Sequence, residues 1–165
     1  MAKRKTARSP RGRTLRAAPR PRVETVGQTF RYIESSALLA ALLERDVAAR
    51  EALDADGQRV TSALTLAEAA RAVVRARVAG RLTPTQERSA LRWLQGFERR
   101  CDTVSVTDAV LTRAGRPFPV EPIRTLDAIH LATAELIGEP PQLVTIVTRD
   151  VRVRDNAEAL GYPVE

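Results

Sequence analysis

The chain has 165 residues, 44% of them hydrophobic, which is one domain's worth with enough apolar side chains for its own core. A single cysteine, Cys101, excludes an internal disulfide, and a single histidine, His130, excludes with it any zinc site built from several such ligands. The net charge of +7 is unevenly spread: residues 1–22 hold nine basic side chains and no acid, whereas residues 23–165 hold the other 18 and all 20 acids.

That basic, proline-dotted stretch has too few apolar residues to fold alone, so residues 1–28 read as a disordered tail and residues 29–165 as the domain. Nine cations without an acid suit either nonspecific contact with nucleic-acid phosphates or an extension without a role. No apolar run approaches the ~18 residues of a membrane span. No apolar segment follows the basic start as it would in a secretory signal, so a cytoplasmic protein with no membrane partner is expected.

In chain order, residues 29–33 (TFRYI) are β-branched and aromatic and predict a strand. The spacing of apolar residues at 38, 39, 42, 43 and 47 predicts one helix over 37–53. A turn follows at 54–57, then a short strand at 59–62. A second helix is expected over 64–80, with Leu66, Ala70, Val73, Val74 and Val78 on one side and Gly80 as its stop. Thr83, Pro84 and Gln86 form the start of a third helix, with a capping box and a proline at its first position. Trp93, Leu94 and Phe97 supply its apolar side.

Residues 103–106 (TVSV) predict a strand, 108–114 a short helix that Asp108 helps to start, and 115–122 a proline-rich loop. The helix expected over 126–137 is small or apolar nearly all round and should be buried. Residues 143–148 (LVTIVT) are a continuous apolar run suited to a parallel sheet covered on both faces. A last helix at 151–160 and an edge strand at 162–164 complete the chain. Strands alternating with helices predict a three-layer α/β/α sandwich around a mostly parallel sheet, with its site at the carboxyl ends of the strands.

Four acids fall where that rule points. Glu34 follows the first strand, Asp150 follows LVTIVT, Glu68 lies in the first turns of the second helix and Asp127 in the first turn of the buried one. Brought together, they would need a compensating positive charge, and a hard divalent cation with oxygen ligands supplies it. Each acid also has a plainer use. Glu68 faces Arg71 and Arg75, Asp127 and Asp150 suit helix N-termini, and Glu34 at a strand end can simply be solvated. His130, one turn after Asp127, suits proton transfer, although a packed, hydrogen-bonded histidine is the commoner case. Cys101 has no catalytic partner nearby in sequence.

Four stretches carry a family resemblance. Residues 32–39 (YIESSALL) resemble the opening strand and helix of PIN-domain ribonucleases, and 61–69 (TSALTLAEA) their second motif. Residues 124–134 (RTLDAIHLATA) are very similar to the third and are the most specific of the four. Residues 147–150 (VTRD) with 156–161 (NAEALG) resemble the C-terminal end. Together they cover about residues 30–165 in the family's order, in the style of VapC-like toxins of toxin–antitoxin pairs.

The resemblance implies a PIN-like fold and a metal-dependent endoribonuclease, with Glu34, Glu68, Asp127 and Asp150 as catalytic ligands of Mg²⁺ or Mn²⁺. Ser36 matches a hydroxyl that supports the metal or its water. Arg71, Arg75, Arg124 and Arg149 adjoin these acids and are candidates for RNA phosphates. An antitoxin protein, RNA and a second copy of the chain are the implied partners. The first acid of the family pattern is ordinarily Asp, and here it is Glu34. That departure keeps open a catalytically weak or inactive PIN-like module that binds nucleic acid or protein.

Overall fold

The computed structural model describes residues 29–165, so the basic segment 1–28 lies outside the described residues. Four short strands, β1 (Phe30–Ile33), β2 (Gln58–Ser62), β3 (Asp102–Val104) and β4 (Val144–Val147), form a sheet in the order β3-β2-β1-β4. Every pairing within it is parallel. The expected edge strand at 162–164 reduces to one parallel bridge between Val164 and Ile146. Backbone bonds from Ile146 to Pro163 and from Thr148 to Glu165 hold that segment beside β4.

Alternation along the strands sends neighbouring side chains to opposite faces, and two cores result. Tyr32, Val60, Val144 and Ile146 pack with Val110, Ala128, Ile129, Leu131, Val153 and Ala157. These partners belong to α5 (Asp108–Ala114), α6 (Thr125–Glu135) and α7 (Val151–Ala159). On the other face Ile33 and Val147 pack with Leu38, Ala49, Leu53, Ala69, Leu94 and Phe97. These come from α1 (Ser35–Leu39), α2 (Val47–Asp54), α3 (Ala63–Val78) and α4 (Pro84–Glu98). The expected three-layer α/β/α architecture is therefore present. The helix α6 is buried from Ala128 to Ala134, and only its first turn is open, with Leu126 exposed.

Three expectations need correction. The single helix over 37–53 is two helices. After α1, a π-helical turn (Ala40–Glu44) ends at Arg45, whose φ of 58° is left-handed. Asp46 then caps α2 by accepting from the Ala49 N–H at 3.0 Å. An aspartate that can cap a new helix outcompetes one more residue of the old one.

The buried stripe of α3 also differs. Thr65, Ala69, Ala72, Val73 and Ala76 face inward, whereas Val78 is 82% exposed. Small residues let α3 lie close to the sheet, and a choice of the largest side chains picks the wrong edge of the helix. On α4, Leu94 and Phe97 are buried, but Trp93 stays partly exposed and stacks on Phe97 at 6.0 Å between ring centroids. The capping box of Thr83 and Gln86 is present as expected. Gly80 ends α3 with a φ of 71°, which a side-chain-bearing residue adopts only with strain.

Candidate functional site

The strand order places a topological switch point between β1 and β4, because the chain leaves β1 toward β2 on one side and returns to β4 on the other. Glu34 and Thr148 directly follow those two strands, and the Glu34 N–H donates to the Val147 carbonyl at 3.0 Å. Glu34 is only 4% exposed, which rules out the simply solvated reading. Its carboxylate caps α1. Oε2 accepts from the Ser36 N–H at 2.9 Å, from the Ser36 hydroxyl, and from the Thr148 hydroxyl at 2.9 Å. Oε1 accepts from the Ser35 hydroxyl.

Ser36 thus acts on Glu34 itself, and its oxygen also accepts the Arg149 N–H at 2.7 Å. Thr148, fully buried, also accepts the Asp150 N–H at 3.1 Å. Ser35 and Thr148 are site residues that the sequence reading missed. For Ser35 the signal was a hydroxyl next to a motif acid, and for Thr148 a hydroxyl two residues before one.

Glu68 enters from α3. The side chain is 24% exposed, and its Oε2 accepts from His130 Nε2 at 2.7 Å. That nitrogen lies 3.6 Å from Glu34 Oε1, and one ligand atom each from Glu34, Glu68 and His130 lie within 4.8 Å of one another. His130 is 1% exposed, and its Nδ1 is 3.0 Å from the Tyr32 hydroxyl. It is therefore both packed and part of the acidic cleft. Burial favours a raised Glu68 carboxyl, but the His130 hydrogen bond and attraction, then Ser35 and Arg75, outweigh it and hold the group below its usual range. The same burial pushes the Tyr32 phenol far above its usual range, with the Glu34 charge adding to it.

Asp127 stands in the first turn of α6, and its surroundings are of the opposite kind. Its Oδ2 is buried without a hydrogen-bond partner. Desolvation raises its carboxyl above the usual range, the charges of Asp150 and Glu34 raise it further, and Arg124 and His130 oppose them only in part. Asp150 caps α7, with Oδ1 accepting from the Arg152 and Val153 N–H groups at 2.7 and 3.4 Å. The helix-terminus role expected of Asp150 is thus present, and that of Asp127 is limited to its place in the first turn.

The structure gathers Glu34 and Glu68 around His130, and Asp127 feels both Glu34 and Asp150. Carboxylate oxygens, one of them buried and unpartnered, form a donor set that fits a hard divalent cation. Of the four arginines, Arg71, Arg75 and Arg124 are exposed, with Arg75 near enough to lower Glu68. The Arg149 guanidinium is turned to Asp46 Oδ2 and the Thr148 carbonyl, both at 3.4 Å. Cys101 is half-buried on the α2–α4 face, where burial pushes its thiol up to about 11, in keeping with an unreactive side chain.

A parallel α/β/α sandwich with an acidic cleft at its switch point is the architecture of a PIN domain. The family pattern described as PIN domain matches residues 31–159, and the chain belongs to that family. Its relatives include Ribonuclease VapC35 of Mycobacterium tuberculosis (strain H37Rv), 36% identical over 137 residues, or 81% of this chain and 93% of that protein. Ribonuclease VapC46 of the same strain is 40% identical over 139 residues, or 81% and 94%.

Among solved structures, VapBC2 from Rickettsia felis, bound to a DNA fragment from their promoter, contains a chain with a TM-score of 0.58. That likeness has 15% identity and covers 82% of this chain and 97% of the other. DNA-bound VapBC from Salmonella typhimurium gives 0.53 at 17% identity, over 84% and 97%. At such identities the likeness is one of fold.

Proposed function

We propose that the protein is a VapC-like endoribonuclease that hydrolyses RNA phosphodiesters with Mg²⁺ or Mn²⁺, as the toxin of a toxin–antitoxin pair. The observation that carries this reading is Asp127. A carboxylate with a buried, unpartnered oxygen beside two further acids is unfavourable in its charged form, and a cation held there relieves it. Relatives named as VapC ribonucleases at 36–40% identity give the substrate class. Neighbours of the VapBC kind give the antitoxin partner. RNA as substrate, a homodimer and a cytoplasmic location belong to the same reading. Among the described residues no helix is long and apolar enough to cross a membrane.

Glu34, Glu68, Asp127 and Asp150 would hold the cation. A divalent ion there supplies Lewis acidity, which favours attack by water and stabilises charge on the leaving oxygen. The protein's own part is placement. Ser35, Ser36 and Thr148 fix both Glu34 oxygens in advance, and the α7 backbone fixes Asp150 through Oδ1. Asp127 keeps an oxygen free of protein donors. Arg71, Arg75 and Arg124 stand exposed for RNA phosphates, and Arg149 would have to leave Asp46 to join them.

One observation favours the second reading, a weak or inactive binding module. Glu34, already unusual in carrying an extra methylene, has both oxygens engaged by protein donors, one of them a helix-capping N–H. The test is cleavage of RNA with Mg²⁺ and with Mn²⁺ by the parent protein and by Asp127→Asn. The enzyme reading predicts metal-dependent cleavage lost in the variant. RNA or protein binding with no cleavage under either metal makes the module reading the correct one.

A further inference from the structure

Glu68 differs from its neighbours in how it is held. Glu34 is fixed by four donors, three from the first two residues of α1 and one from Thr148 after β4, and Asp150 by two backbone N–H groups. Glu68 projects on a long side chain from the second turn of α3, past the helix's own capping groups. Its short hydrogen bond is to His130 Nε2, at 2.7 Å. His130 belongs to α6, on the other face of the sheet, so this bond ties the two helical layers together at the cleft.

The ring is held at both ends. Two carboxylates face Nε2, at 2.7 and 3.6 Å, so the proton belongs on that nitrogen. In the neutral ring Nδ1 then offers a lone pair to the Tyr32 hydroxyl, 3.0 Å away. The Tyr32 oxygen also has the Thr133 and Ser62 hydroxyls beside it, and Thr133 gives its own proton to the Ile129 carbonyl. An imidazole nitrogen is a better acceptor than a hydroxyl, so Tyr32 donates to Nδ1. The run of donors leads from Tyr32 through His130 to Glu68.

We infer that His130 is a positioning residue for Glu68: its Nε2–H aims the carboxylate into the cleft, and the Tyr32 hydroxyl seats the ring from behind. The inference rests on the cation-dependent reading above and goes beyond it, because His130 acts on a ligand without being one. Fixing a ligating carboxylate from a second layer is worth about 10–100-fold in metal affinity in comparable sites.

Mn²⁺ binding to the folded, untagged protein is the test, followed by calorimetry and by electron spin resonance. His130→Phe fills the same space without a donor and should weaken Mn²⁺ by about 10–100-fold. His130→Gln carries its amide nitrogen the same number of bonds from the backbone and should restore most of that loss. Tyr32→Phe, which keeps the core filled, should weaken Mn²⁺ in the same direction by less than His130→Phe does.

Because His130 is the only histidine, nitrogen NMR of the ring reads its state directly, and Nε2 should carry a proton in the metal-free protein. A bare Nε2, or a ring nitrogen coupled to bound Mn²⁺ in spin-echo spectra, would overturn the inference. So would His130→Phe binding as tightly as the parent while Glu68→Gln binds weakly, and in that case the metal site itself stands. If Glu68→Gln also binds as tightly as the parent, Glu68 is not a ligand, and the ligand set proposed above fails first.

Discussion

Glu34 and Asp127 carry the same charge at the same end of the sheet, yet the protein treats them in opposite ways. Glu34 is surrounded by donors that were folded into place for it, and both oxygens are engaged. Asp127 is desolvated, repelled by Asp150 and Glu34, and left with one buried oxygen unpartnered. The first belongs to a site finished by folding, and the second to a site finished by a ligand. A carboxylate can therefore be a scaffold or a vacancy for positive charge within a single cleft, and the hydrogen bonds around it tell which.

The largest effect should come from removing the unpartnered group. Asp127→Asn should lower metal-dependent RNA cleavage by ~10²–10³-fold, the scale seen when one group that stabilises charge at a reacting centre is removed, with the circular dichroism spectrum unchanged. Unchanged cleavage would show that Asp127 is not part of the reaction.

Glu34 sharpens the contrast. Glu34→Gln places an amide nitrogen where donors already converge, and should destabilise the fold by about 1–3 kcal/mol as well as weaken cleavage. Glu34→Asp keeps the charge and should cost far less activity, with Mn²⁺ more forgiving than Mg²⁺ of the altered reach. Thermal melts beside cleavage assays on both variants check this, and a Gln variant as active and stable as the parent would leave Glu34 without either role. Thr148→Val, one donor fewer on the same carboxylate, should destabilise by about 1 kcal/mol.

The pH dependence separates the two kinds of group. Asp127 has a raised carboxyl pKa in the folded protein, so its stabilising share is full below the unfolded value and is lost as pH rises through the folded one. Glu68 is lowered, so its share is present above the unfolded value and is lost as pH falls through the folded one. Metal-free Asp127→Asn should therefore lose less stability than the parent between acid and neutral pH. Denaturant melts across that range measure it, and parallel curves for the two proteins would contradict the raised Asp127. The smallest effect concerns the basic segment, whose nine cations predict that deleting residues 1–22 flattens the salt dependence of RNA binding. An equal slope with and without it would leave the segment without a part in RNA binding.

Much of this was legible before any coordinates. Strand periodicity, the apolar LVTIVT run and the capping signals fixed the layers, because each depends on neighbours in sequence. The placement of Glu34, Asp150 and Asp127 followed from where strands end and helices begin. What stayed hidden depends on contacts across the fold. The break at Arg45 reflects a competition between two helix ends. The buried edge of α3 follows from alanines that allow close approach rather than from its largest side chains. Thr148 matters only because β1 and β4 are neighbours, and the bond from His130 to Glu68 spans 62 residues.

The central claim, that the cleft is completed by a divalent cation at its unpartnered acid, is tested most directly by calorimetric titration of Mn²⁺ into the parent protein and Asp127→Asn near neutral pH. The account predicts saturable binding to the parent and binding at least about tenfold weaker in the variant. Equal affinity in the two proteins, or no saturable binding to the parent, would contradict it.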